Sequence, residues 1–149
     1  MMIAIGADHG GFKLKEQIKQ YFDEVGMEYI DVGTHSEERC DHPIFAEEVC
    51  KKIQNKEADK GILICTTGLG MAIDANKFKG IRAAACYNED ATKQSKEHLD
   101  INVLCLPAKF INISEAVAFI RTWLGSQFLD GRYAERLQMI KEIEDKNMK

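Results

Sequence analysis

Gly61-Ile62-Leu63-Ile64-Cys65-Thr66-Thr67-Gly68-Leu69-Gly70 is the stretch that decides the fold. Gly61–Cys65 is an unbroken run of apolar and small residues, short enough for a strand and apolar enough to be covered on both faces. The polar pair Thr66-Thr67 follows, and Thr67–Asn76 turns through Gly68 and Gly70 into a helix. A buried strand that passes through glycine into a helix is half of a parallel β-α-β unit.

The same alternation runs outward in both directions. Upstream, Met2–Ala7 reads as a short buried strand. Lys13–Val25 reads as a helix with Leu14, Ile18, Tyr21, Phe22 and Val25 on one face, ended by Gly26. Tyr29–Val32 is a second strand, and Ile44–Ile53 a second helix after Pro43. Downstream, Arg82–Cys86 is a fourth strand. Asn88–Lys96 is a helix with Asn88 as N-cap. Val103–Leu106 is a fifth strand, and Ser114 caps a helix over Glu115–Leu124 that Gly125 closes. Strands alternating with helices predict an α/β three-layer sandwich, a doubly wound five-stranded parallel sheet of Rossmann or flavodoxin type, with ligands beyond the carboxyl ends of the strands. After a loop at Gln127–Gly131, Tyr133, Leu137, Ile140 and Ile143 form an apolar stripe with no strand to follow. Such a terminal helix packs on its own domain or on a neighbouring subunit. The second is the expectation here, a C-terminal helix exchanged or packed at a dimer interface.

The 149 residues suit one domain, 1–149, able to bury about two-thirds of its unfolded surface without a staple. The net charge of -4, with both signs mixed, argues against a nucleic-acid partner. No apolar run reaches the roughly 18 residues of a membrane span. The Met1–Gly6 start is too short and uncharged for a signal peptide, so a cytoplasmic protein without a membrane partner is expected. Five cysteines, an odd number with no C-x-x-C pair, oppose a disulfide framework or a zinc site. Cys40-Asp41-His42 lacks further ligands, and no metal is expected.

Three polar segments carry candidate chemistry. Gly6-Ala7-Asp8-His9-Gly10-Gly11 joins a strand to a helix; its glycines let main chain approach a ligand, and a helix N-terminus favours an anion. It does not match a dinucleotide fingerprint. Asp8 and His9 read either as a cap and an exposed imidazole or as a proton-transfer carboxylate beside a phosphate-binding histidine. In the second segment, Cys65 reads either as a buried structural residue or as a thiolate whose pKa the helix end lowers, beside a nest of N–H groups over Thr66–Gly70. In the third, Arg132 and Arg136 are i and i+4, so they share a helix face that is either solvated or a phosphate clasp. His98 is a lone histidine near a helix end.

The order and spacing of these segments, with Ile30-Asp31-Val32-Gly33-Thr34, Ala75-Asn76-Lys77, Gly80-Ile81-Arg82-Ala83 and Gly131-Arg132, closely resemble type B ribose-5-phosphate isomerase over essentially the whole chain. That family includes galactose-6-phosphate and allose-6-phosphate isomerases. The resemblance implies an aldose–ketose isomerase without metal or organic cofactor. It also implies a homodimer or dimer of dimers with active sites at the subunit interface, acting on a small phosphorylated sugar. By motif position Cys65 resembles the base that moves a proton between C1 and C2, and Thr67 the hydroxyl that orients the reacting group. The main chain of Thr66, Gly68, Leu69 and Gly70 resembles the anion hole. Asp8 and His98 resemble the ring-opening pair, and His9, Arg132 and Arg136 phosphate ligands. The chain departs from the pattern at Thr66 and Leu99, where glycine and asparagine are usual. Pro107 and Lys109 lie where a Gly-x-Arg is usual, leaving Lys109 as a single positive charge, and His42 replaces a tyrosine before Pro43. Ribose 5-phosphate with ribulose 5-phosphate is the leading substrate pair. A hexose 6-phosphate is the alternative within the chemistry, and a sugar-phosphate-binding relative without turnover the alternative outside it.

Overall fold

The computed structural model describes residues 1–148. The elements follow in the order β1 (Met2–Ala7), α1 (Phe12–Val25), β2 (Glu28–Gly33), α2 (His42–Gln54), β3 (Lys60–Cys65), α3 (Leu69–Ala75), β4 (Ala83–Ala85), α4 (Glu89–Leu99), β5 (Val103–Pro107), α5 (Ile113–Gly125) and α6 (Arg132–Asn147). The five strands form one sheet in the order β2-β1-β3-β5-β4, every pair parallel. From β1 the chain leaves to β2 on one side; from β3 it passes on the other side to the edge strand β4 and returns to β5 between them. The strand order therefore reverses between β1 and β3, and their carboxyl ends flank the crevice where doubly wound proteins bind ligands.

Strand side chains alternate, so each strand supplies both faces. Ile3, Ile5, Ile62, Ile64 and Leu104 pack with Ile18, Phe22, Phe119 and Trp123 under α1 and α5. Ala4, Leu63, Cys65, Val103 and Cys105 pack with Val49, Met71 and Ala75 under α2 and α3. Trp123 is fully buried and its indole Nε1 donates to the Ile101 carbonyl at 3.1 Å; truncating such a ring costs about 3–5 kcal/mol. The continuous apolar strands read from the sequence are thus the middle layer of three.

Several predicted boundaries move, each for a local reason. The cap of α5 is Asn112, not Ser114. Asn112 Oδ1 accepts from Glu115 N at 2.9 Å while the Glu115 carboxylate accepts from Asn112 N at 3.1 Å, a reciprocal box that leaves Ser114 inside the first turn. Within the Thr67–Asn76 segment α3 begins at Leu69, directly after Gly68, which is left-handed with φ 74°, so that Gly70 lies inside the helix. It stops at Ala75 because the Asn76 side chain exchanges two hydrogen bonds with the main chain of Ala83. β4 is shorter than Arg82–Cys86, since the Arg82 N–H is taken by the Asn102 side chain at 2.7 Å. α4 runs on to Leu99, where Asp100 stops it at φ 45°, and this puts His98 in its last turn. Asn88 does cap α4, accepting from Ala91 N at 2.7 Å.

α6 has no buried residue, and its Ile140 and Ile143 are 44% and 59% exposed. An apolar groove of about 340 Å³, lined by Ile81, Leu99, Leu137, Ile140 and Ile143 among others, runs between α6 and the residues around β4. Among the described residues no helix is long and apolar enough to cross a membrane.

Candidate active site

β1 and β3 deliver the first group of polar residues. Beyond Ala7 the ladder continues one step, with Asp8 N donating to Ile64 O at 3.2 Å. Asp8 is buried, and its Oδ1 accepts from Gly11 N at 3.1 Å, which closes the loop before α1. Glycine is required there: a Cβ on Gly11 would stand 2.4 Å from the Ile64 carbonyl oxygen, and one on Gly10 2.4 Å from Thr66 Oγ1. The Asp8-His9-Gly10-Gly11 loop therefore lies directly against the end of β3. His9 reaches the other way, its Nδ1 accepting from the Cys40 N–H at 3.2 Å.

At the end of β3, Cys65 O accepts from Ala108 N and Thr66 O from Lys109 N, both at 3.0 Å, so β5 carries the loop beyond its own last residue. The left-handed Gly68 folds the chain back, and its N–H donates to Cys65 Sγ at 3.2 Å. Leu69 N donates to Thr67 Oγ1 at 3.2 Å. Two donors of the expected Thr66–Gly70 nest are thus turned inward, one of them onto the sulfur. The later N–H groups of the first turn of α3 are those a helix leaves without an internal acceptor. Burial pushes the Cys50 thiol up to about 12 with help from the Asp74 charge, and burial likewise raises Cys86 and Cys105. Those three stay protonated spectators at neutral pH.

Tyr87, Phe110 and Asp74, which the sequence reading left out, complete this edge together with Lys109 and His42. The Tyr87 hydroxyl, just beyond β4, donates to the Thr67 carbonyl, and its ring lies 5.5 Å from Phe110. The Lys109 ammonium stands 5.7 Å from the Phe110 ring centre, a cation–π contact. His42, at the start of α2, is hydrogen-bonded through Nδ1 to Asp74 on α3 and lies against Gly70. Tyr87 could have been found as the polar aromatic nearest the carboxyl end of a predicted strand. Asp74 could have been found as the residue one helical turn from Gly70.

His98, Arg132 and Arg136 are elsewhere. The His98 ring stacks on Tyr133 with centroids 4.2 Å apart and planes 6° from parallel. Arg132 donates to the Tyr133 hydroxyl at 3.0 Å, and the Arg132 and Arg136 guanidinium carbons lie 5.0 and 5.8 Å from the same ring. The end of α4 is tied to the start of β4 by the Arg82 side chain, which donates to the Leu99 and Asp100 carbonyls. This second group therefore sits at the amino ends of the strands. Cys65 is in register with Pro107 and Gly61 with Val103, so roughly 13 Å of strand separates the two edges. Within one chain the candidate residues form two groups, not one. Among the described residues, no three His, Cys, Asp or Glu side chains converge in a way that could hold a metal ion.

Fold and site together define a doubly wound α/β protein with a thiol, a carboxylate and a glycine turn gathered at its switch point, the architecture of a small-molecule site. Comparison narrows this. A family model described as Ribose/Galactose Isomerase matches residues 3–140. Ribose-5-phosphate isomerase B of Escherichia coli (strain K12) is 42% identical over 144 residues, covering 97% of each chain. The solved Clostridium thermocellum ribose-5-phosphate isomerase B is 44% identical with a TM-score of 0.95, over 98% of this chain and 99% of that one. The Mycoplasma genitalium ribose-5-phosphate isomerase B, solved with bound ribulose 5-phosphate, is 34% identical with a TM-score of 0.92, over 98% of this chain and 97% of that one. The chain belongs to the ribose/galactose isomerase family.

Proposed function

We propose that this chain, as one isomerase domain spanning 1–149, interconverts ribose 5-phosphate and ribulose 5-phosphate through an enediolate, with Cys65 as the base. The observation that carries the reading is the Gly68 N–H pointing at Cys65 Sγ from 3.2 Å, at the carboxyl end of β3 and beside Asp8. That hydrogen bond holds the sulfur at the turn where the reacting carbons would lie. In the forward direction a proton leaves C2 for Cys65 and returns to C1, while a proton passes from O2 to O1. Charge on the enediolate oxygen is met by main-chain N–H groups of the Thr66–Gly70 turn other than those of Gly68 and Leu69, which already donate to Cys65 Sγ and Thr67 Oγ1, an electrostatic contribution usually larger than that of any one side chain. Thr67 orients the reacting hydroxyl. Asp8 and His98 form the acid–base pair that opens the furanose ring, and His9, Lys109, Arg132 and Arg136 hold the phosphate away from the reacting carbons. No metal or organic cofactor is invoked, since base, acid and anion hole are all protein groups.

This assignment needs both edges of the molecule, and a second copy of the chain supplies the missing one. In the proposed homodimer, or dimer of dimers, the His98–Tyr133–Arg132–Arg136 group of one protomer faces the Cys65 edge of the other. The unburied apolar residues of α6 support this arrangement. All five cysteines are free, which fits a reducing cytoplasm.

Purified protein, with chelator present, should form ketose from ribose 5-phosphate, followed by direct ketose assay, with allose 6-phosphate as the comparison. Ketose from the hexose alone would reassign the substrate. Ketose from neither would leave a sugar-phosphate-binding protein.

A further inference from the structure

Beside the turn that carries Cys65 stands a His–Asp pair to which the reading above assigns no role. His42 Nδ1 is hydrogen-bonded to Asp74 Oδ2, with the imidazole 40% exposed and the carboxylate 15% exposed. An ionised carboxylate only accepts, so Nδ1 carries the proton and the lone pair of a neutral ring is on Nε2. The Asp74 charge is felt nearby, where it adds to burial in raising the Cys50 thiol. The ring is pressed against the glycine turn: a Cβ on Gly70 would meet Cε1 at 2.9 Å and Nε2 at 3.0 Å. Gly70 and Asp74 are one turn apart and share a face of α3. That face fixes both ends of the imidazole, Nδ1 on the carboxylate and Nε2 over Gly70. Among the described residues Nδ1 is the only ring nitrogen of His42 with a hydrogen-bond partner. An imidazole locked at one nitrogen and open at the other, as here, is oriented for a ligand.

We propose that His42, oriented by Asp74, is a specificity-determining substrate contact, its Nε2 hydrogen-bonding a sugar hydroxyl where the sugar phosphate crosses the Gly68–Gly70 turn. The inference rests on the proposed sugar-phosphate site. Asp74 acts only through His42 and is a positioning residue. The imidazole also explains why Gly70 admits no side chain, because the ring fills the space a Cβ would take.

Two measurements test the contact. In protein labelled with ¹⁵N-histidine, the His42 Nε2 resonance, assigned by its loss in His42→Phe or His42→Gln, should shift on adding ribose 5-phosphate and stay unmoved by inorganic phosphate. An unmoved resonance at saturating sugar phosphate, or the same shift with inorganic phosphate alone, overturns the proposal whether or not turnover occurs. A shift without any ketose would sink the isomerase reading and leave the contact standing. In kinetics, folded His42→Phe should lose on the order of ten- to a hundredfold in kcat/KM, mostly in KM, as expected for a hydrogen bond lost to bound ligand. Asp74→Asn should lose less, and nothing further when added to His42→Phe. Unchanged kcat/KM in His42→Phe, or an undiminished Asp74→Asn effect in the His42→Phe background, overturns it.

Discussion

The two edges of the sheet place their polar residues by different means. At the carboxyl edge, Asp8, Cys65, Thr66 and Lys109 are positioned by main chain: ladder hydrogen bonds run on past the strands, and two glycines bring one loop against another. At the amino edge, His98, Arg132 and Arg136 are positioned by one another around Tyr133, on the exposed ends of two helices. A site built on ladders is preorganised in a single chain. A stack of half-buried rings and exposed guanidinium groups is held only weakly until something covers it, so this edge should tighten on assembly.

Substitutions should separate the edges by size of effect. Cys65→Ala should have the largest, a loss of about 10²–10⁴ in kcat, the usual range for a positioned base, with sugar-phosphate binding retained by calorimetry; an unimpaired variant would reassign the base. Next is the scaffold of the carboxyl edge. Lys15, fully buried, meets both Asp31 oxygens at 2.8 Å, and Asp31 also accepts from Gly33 N at 2.9 Å. Asp31→Asn should cost about 3 kcal/mol in urea unfolding, the low end for a broken buried pair because Glu16 still faces Lys15. Burial works to raise the Asp31 carboxyl, but hydrogen bonds from Lys15 and Lys19 outweigh it and hold it below the usual range. A lowered carboxyl stabilises the fold fully above its unfolded value near pH 4 and loses that contribution as pH falls through the folded value. Wild-type stability should therefore fall with pH below about 4, and Asp31→Asn should flatten that limb.

Smaller again is Gly68→Ala. At φ 74° a side chain costs about 1–2 kcal/mol of stability, and kcat should fall as the N–H leaves Cys65; unchanged kcat would detach the turn from the chemistry. Arg132→Ala should have the smallest effect, raising KM about tenfold with stability unchanged, because its side chain is exposed and, among the described residues, paired only with Tyr133.

The contrast between edges also explains what sequence reading reached. Strand ends are fixed by apolar runs and glycine, so the parallel sheet and the Asp8 and Cys65 loops beyond its carboxyl ends followed from pattern alone, while the strand order that makes this crevice a switch point did not. The residues it missed depend on side-chain geometry across elements. Tyr87 reaches Thr67 from β4's end, His42 reaches Asp74 from another helix, and Tyr133 is a ring platform rather than another residue of an apolar stripe. Asn112 displaced Ser114 as a cap because the decisive partner, Glu115, lies three residues on and suits only the former. The resemblance to a known family named His98, Arg132 and Arg136 as site residues; only the coordinates put them a strand's length from Cys65.

The central claim is that Cys65 of one chain works with His98 of another. Cys65→Ala and His98→Ala chains, each inactive alone, can be unfolded together, refolded as an equimolar mixture and assayed with ribose 5-phosphate. A two-fold dimer with shared sites leaves one intact site in each mixed dimer, so activity should return to about a quarter of wild type. Activity no higher than that of the separate variants, with mixed dimers present by mass, would mean that each site is built within one chain, and would contradict the account.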